Sequence, residues 1–160
     1  MSRFDKPVFF LCLACFFATL LIHCGTFFFT GLNNIDPFVP FHFIVIAAGG
    51  FVALRYRNAP KSLAKWAPPL RVPFYILFAY FLLTMALMYI YFEGGSPTVV
   101  DGKPQLSNHG RFIRYLTDEE FAYAQHYELR LFSCAWMSIF AGTAAYLAQL
   151  RENAKAPVPE

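Results

Sequence analysis

The stretch Thr19-Leu20-Leu21-Ile22-His23-Cys24-Gly25-Thr26-Phe27-Phe28-Phe29 sets an imidazole inside a run that is otherwise almost wholly apolar. A histidine persists in such a run only where the fold gives it a polar partner. Steps of three and four residues collect Cys12, Cys15, Thr19, His23, Thr26 and Thr30 on one helical face. The opposite face collects Phe10, Leu13, Phe17, Leu20, Leu21 and Phe28. In a bilayer the bulky face meets acyl chains, and the small, polar stripe meets other helices. His23 is therefore expected to point into a bundle.

The surrounding composition supports a bilayer. Of 160 residues, 58% are hydrophobic and 14% charged, with 20 Phe and 9 Tyr. A soluble domain usually carries about 25% charged residues, so a water-facing surface would be short of polar cover. The net charge of +3 is scattered, with no basic and aromatic cluster, so nucleic acid is not an expected partner. Cys12, Cys15, Cys24 and Cys134 all lie in apolar segments, which removes a disulfide framework. The C-x-x-C of Cys12 and Cys15 is read as two small packing groups.

Four segments approach the length of about 20 apolar residues that a membrane helix needs: 8–31, 38–54, 72–92 and 131–150. Arg3 and Lys6 resemble the head of a secretion signal, but the apolar run is too long and lacks a small-x-small site, so the first segment is read as retained. The link after segment two carries Arg55, Arg57, Lys61, Lys65 and Arg71 with no acid, whereas the first link has only Asp36. Arg151 and Lys155 follow segment four. Cytoplasmic loops are enriched in Lys and Arg, which orients both termini inward, with Trp66 as an interfacial anchor. The expected architecture is an all-α, four-transmembrane-helix bundle, N-in and C-in, over residues 1–150. It carries a periplasmic cap at 93–130 and a cytoplasmic tail at 151–160, whose end, Ala154 to Glu160, reads as disordered.

The cap has its own signals. Thr98 to Lys103 reads as a strand entering an Asp-Gly turn, the mark of a β-hairpin. Ser107-Asn108-His109-Gly110 reads as a second turn, and Arg111 to Tyr115 alternates. Thr117 and Glu120 form a capping box. A helix from Asp118 meets no breaker before Gly142, so it is expected to run unbroken into segment four.

Each remaining segment repeats the small, polar stripe. The fourth gives His126, Arg130, Cys134, Ser138, Gly142, Ala145 and Gln149; the third gives Tyr80, Thr84, Met88 and Tyr91; the second gives His42, Gly49 and Ala53. Thr19, Gly49, Ser138 and Gly142 are expected at helix crossings. At 1.5 Å per residue His23 lies about 12 Å, and His42 about 6 Å, below the outer surface. His23, His42, Tyr91, His126 and Arg130 thus form a candidate intramembrane cluster.

Two readings of that cluster compete. One is hydrogen bonding between helices, which contributes about 0.6 kcal/mol per contact in membranes. The other is a ligand site for haem, a metal ion or a quinone headgroup, with His23 and His42 as ligands. The first is preferred, because each helix supplies a single histidine and no H-x-x-x-H or H-E-x-x-H occurs. Asp118, Glu119 and Glu120 read as first-turn acids that complement the helix dipole, and His109 as a turn residue. No G-x-S-x-G, phosphate-binding loop or Cys/His pair is present, so an enzyme is not expected.

The run from Val100 to Met137 resembles a segment of small, uncharacterised multi-pass membrane proteins of bacteria. In them D-G-x-Y-x-L-x-N-H-G leads to R-x-L-T-x-x-E-[YF] and then R-x-F-S-G-H-W-M. The matching positions begin with Asp101, Gly102, Leu106, Asn108, His109 and Gly110. Arg114, Leu116, Thr117, Glu120 and Phe121 follow, then Arg130, Phe132, Ser133, Trp136 and Met137. Pro104 replaces the aromatic, and Cys134-Ala135 stands where Gly-His would be. The resemblance implies a bacterial inner-membrane protein with a defined outer element. The expected role is a non-enzymatic binding, accessory, immunity or regulatory component that meets a membrane protein partner or a second copy of itself. The alternative is a small redox or cofactor-binding membrane protein.

Overall fold

The computed structural model describes residues 5–29, 38–56 and 68–153. Four helices and a small sheet follow in the order α1 (Asp5–Gly25), α2 (Phe38–Arg55), α3 (Pro68–Phe92), β1 (Ser96–Val100), β2 (Lys103–Asn108), β3 (Arg111–Tyr115) and α4 (Asp118–Asn153). Three helical stretches are long and apolar enough to cross a membrane: Asp5–Gly25, Val72–Phe92 and Asp118–Leu150. α2 is apolar but shorter. Arg3, Arg57, Lys61, Lys65, Trp66 and Lys155, on which the orientation reading rests, lie outside the described residues, as do Thr30, the first link and the Ala154–Glu160 tail.

α4 is the axis of the molecule, with α1, α2 and α3 all packed on it. This changes the expected picture of one inward stripe per helix. Because neighbours surround α4, bulky side chains are buried on it beside the small ones: Trp136, Met137, Phe140 and Leu147 are each at most 2% exposed. α1 follows the expected pattern except at Leu13 and Leu20, which are half-buried, Leu13 because it packs against the core where α1 faces α4. Cys12, Cys15, Thr19, His23 and Thr26 are buried, while Phe10, Phe17, Leu21 and Phe28 are exposed.

The 33-residue stretch Asp118–Leu150 is about 50 Å long at 1.5 Å per residue, well beyond a hydrocarbon core of about 30 Å. Its first turns project past the other helices and carry the cap. There Glu120 N–H donates to Thr117 Oγ1 at 3.1 Å and Thr117 N–H donates to Glu120 Oε2 at 2.8 Å. That reciprocal pair is the capping box.

The cap is a three-stranded antiparallel sheet in the order β1-β2-β3, one strand more than a simple hairpin. Two tight turns build it. Asp101 and Gly102 have φ of 50° and 73°, and His109 and Gly110 have 50° and 82°. Positive φ at both central positions matches the twist of the flanking strands. Leu106, Leu116, Phe92, Ala124 and Tyr127 form the core that joins the sheet to α3 and α4. The Ser96 hydroxyl also bonds the Glu128 carboxylate, tying β1 to α4.

Candidate functional site

His23 is 6% exposed and lies where α1, α3 and α4 meet. Its Nδ1 is 2.9 Å from Ser133 Oγ, and its Nε2 is 2.9 Å from Tyr80 Oη. The Ser133 hydroxyl donates to the Arg130 carbonyl at 3.0 Å. Since a hydroxyl has one hydrogen, Nδ1–H of His23 donates to Ser133, and Nε2 accepts from the Tyr80 phenol. Both ring nitrogens are thus used by the protein, and coordination of haem or a metal through His23 would break one of these bonds.

One turn nearer the cap, Arg130 reaches back to α1. Its Nε donates to Thr26 Oγ1 at 3.0 Å and its Nη2 to the Thr26 carbonyl at 2.8 Å, with the guanidinium 4.3 Å above the Phe27 ring. Thr26 lies just past the end of α1, where carbonyls lack helical partners, so the guanidinium caps that helix. Thr26 Oγ1 donates in turn to the His23 carbonyl at 2.7 Å. His23 and Arg130 therefore belong to one chain of bonds: Tyr80, His23, Ser133, the Arg130 backbone, its guanidinium and Thr26.

The other residues of the expected cluster are placed elsewhere. His42 packs edge-on to Phe132 and Trp136, with centroids 5.2 and 5.3 Å away, on the α2 side of α4. Tyr91 is 61% exposed, its ring 6.5 Å from Tyr127. His126 is half-buried on the projecting part of α4. Among the described residues no group of three or more His, Cys, Asp or Glu side chains converges on a common point.

The expected crossing residues also differ. Thr19 is fully buried and donates to the Cys15 carbonyl at 2.8 Å. The Ser138 hydroxyl donates to the Cys134 carbonyl at 2.9 Å and lies 3.4 Å from the Leu77 carbonyl of α3. A Cβ on Gly142 would fall 2.8 Å from the Phe74 ring, so α3 can approach there only over a glycine. At Gly49 a Cβ would meet nothing within 4 Å.

The His23–Tyr80 bond bridges α1 and α3 and separates two clefts. On the far side from the cap, Phe9, Leu13 and Phe16 face Pro73 and Phe74 across a floor of alanines, enclosing about 240 Å³. On the cap side a second cavity of about 190 Å³ has Phe27, Leu83 and Leu87 as its apolar walls. Tyr80, Thr84, Tyr127 and Arg130 supply its polar side.

Sequence reasoning missed Ser133, although it stands three residues after Arg130 and therefore on the same helical face. It also missed a polar knot at the other end of the bundle, where Asp5 is fully buried and hydrogen-bonded to Tyr56. Burial and the Asp5 carboxylate push the Tyr56 phenol up to about 12. Tyr56 also packs edge-on against Tyr146 of α4, so this knot ties the start of α1 to the ends of α2 and α4. An acid opening an apolar run was the available signal.

No family model, curated protein or solved structure matches this chain.

Proposed function

We propose that this chain is a four-span protein of the bacterial inner membrane, N-in and C-in with its cap in the periplasm. In this reading it serves as a non-enzymatic binding or accessory component of a membrane complex, in the class that includes complex subunits and immunity or regulatory proteins. The observation that carries the proposal is the cap. It is fixed through a buried core to a helix that continues into the apolar bundle. It nevertheless leaves Val100, Phe112 and Tyr115 exposed on one face of the sheet, with the Phe112 and Tyr115 rings 4.9 Å apart. An apolar patch on an aqueous element is costly to leave bare and marks a docking surface. Anchoring it to a membrane helix sets its height and orientation for a partner in the same bilayer.

The test is purification in mild detergent at native expression, followed by mass spectrometry. A stoichiometric membrane partner is expected, lost in a Phe112→Glu/Tyr115→Glu double variant that still folds. A chain that emerges alone and monomeric would overturn the reading. A Soret band that disappears in His23→Ala and His42→Ala would establish the cofactor-binding alternative instead.

A further inference from the structure

We infer that the cap-side cavity between α1 and α3 binds the phosphate of one anionic phospholipid from the adjoining leaflet, with Arg130 as its charge partner. The inference rests on the membrane-spanning reading and is independent of any protein partner.

The reasoning starts from unused donors. A guanidinium carries five N–H groups, and Thr26 accepts from two of them. Capping α1 accounts for those two bonds, and the helix C-terminus offers about half a negative charge. Three N–H groups and a net positive charge remain. Among the described residues Arg130 is paired with no carboxylate; its partners are Thr26 and the Phe27 ring, and the Arg114–Glu120 pair lies out on the cap. A cation in low-dielectric surroundings without an anion is costly, and a guanidinium matches phosphate oxygens two at a time.

The surroundings select a lipid rather than a free ion. Arg130 lies level with the last turn of α1 and immediately before the apolar stretch at 131–150. α1 ends at Gly25, short of the expected 31, so this level is the cap-side edge of the bundle beside α1, where head-group phosphates of a surrounding bilayer would reach Arg130. The cavity opens between α1 and α3 past Leu83 and Phe27, which are 55% and 54% exposed. Those side chains would meet the acyl chains of a molecule whose phosphate sits inside. Tyr127 and Tyr80 put phenol groups on the polar wall. No carboxylate lines the cavity and the Phe27 ring is already covered by the Arg130 guanidinium, so the net positive charge there favours a head group of net negative charge over a zwitterionic one.

The experiment is native mass spectrometry of the full chain in detergent. It is titrated with phosphatidylglycerol and with phosphatidylcholine of the same acyl chains, with inorganic phosphate as a third arm. The wild type is expected to retain one phosphatidylglycerol about tenfold more tightly than phosphatidylcholine, the range of one charge-assisted hydrogen-bond set. Arg130→Gln should lose that preference, Arg130→Lys should keep most of it, and Arg111→Gln on the cap should leave it unchanged. Leu83→Trp fills the cavity from its exposed lip without touching the charge and should also abolish the preference, which covers the case of an unstable Arg130→Gln. Equal retention of the two lipids by the wild type would overturn the inference. So would a preference that survives Leu83→Trp, or displacement of the lipid by millimolar inorganic phosphate.

Discussion

The two halves of the bundle are held by different physics. In the cap-side half, α1 meets α3 and α4 through Tyr80, His23, Ser133, Arg130 and Thr26, each joined by hydrogen bonds of 3.0 Å or less. In the far half, α1, α2 and α4 meet through a close-packed apolar cluster of Cys12, Cys15, Ala48, Trp136, Phe140 and Ala144, with the Asp5–Tyr56 hydrogen bond at its end. Hydrogen bonds between membrane helices are weak because the separated helices also find polar partners. Their value is directional, since they fix which residue opposes which. Close packing supplies more of the energy but tolerates slippage where side chains are alike. Register rests mainly on the cap-side bonds, with the Asp5–Tyr56 knot as a second fixed point, and adhesion rests mainly on the apolar packing of the far half.

The largest effect should come from the far half. Phe140→Ala is expected to cost about 2–3 kcal/mol, below the soluble-protein range because lipid removes the water-transfer part of the penalty. Denaturation in mixed micelles followed by circular dichroism measures it. A loss no greater than that of the exposed Phe17→Ala would break the division of labour. Next comes Gly142→Val, which forces Phe74 aside and should cost about 2 kcal/mol, while Gly49→Val should stay within about 0.5 kcal/mol. Equal costs at the two glycines would mean that α3 does not approach α4 as closely as Phe74 implies.

The cap-side half should respond more gently. His23→Leu is expected to cost about 1 kcal/mol, and a double-mutant cycle of His23→Leu with Ser133→Ala should return a coupling near 0.6 kcal/mol. A coupling of zero would remove the hydrogen-bond chain as a register device. The smallest effect belongs to the cap. The Thr117 N–H and the Arg114 guanidinium hold the Glu120 carboxylate below its ordinary value of 4.5. A depressed folded value means that its contribution is complete above pH 4.5 and is lost as the pH falls through the folded value. Protection of the amides at residues 117–121, relative to their intrinsic exchange rates, should therefore fall as the pH drops below 4.5 while the bundle amides stay protected. Uniform behaviour across that range would show the capping box to be idle.

Parts of this arrangement were legible in the sequence. The stripe Cys12, Cys15, Thr19, His23, Thr26 is the buried face of α1 because a helix repeats every 3.6 residues whatever it packs against. Asp101-Gly102 and His109-Gly110 are turns because their conformation is a local matter of backbone sterics. The uninterrupted run from Asp118 produces a single helix of 36 residues for the same kind of reason. The grouping of His23 with His42 came from depth alone, and depth says nothing about which side of α4 a helix occupies. The structure puts His42 against Phe132 and Trp136 and leaves His23 to Tyr80 and Ser133.

The amino-acid order by itself determined that four helices form, which face of α1 carries its buried stripe and how the cap turns back on itself, though α1 ends at Gly25 rather than at the expected 31. Each of these follows from interactions among residues a few positions apart. The choice of α4 as the axis, the meeting of residues 110 positions apart at His23 and Ser133, and the cavity left beside Arg130 were decided only when the helices packed. They depend on the shapes of several surfaces at once, and no single stretch of chain carries that information.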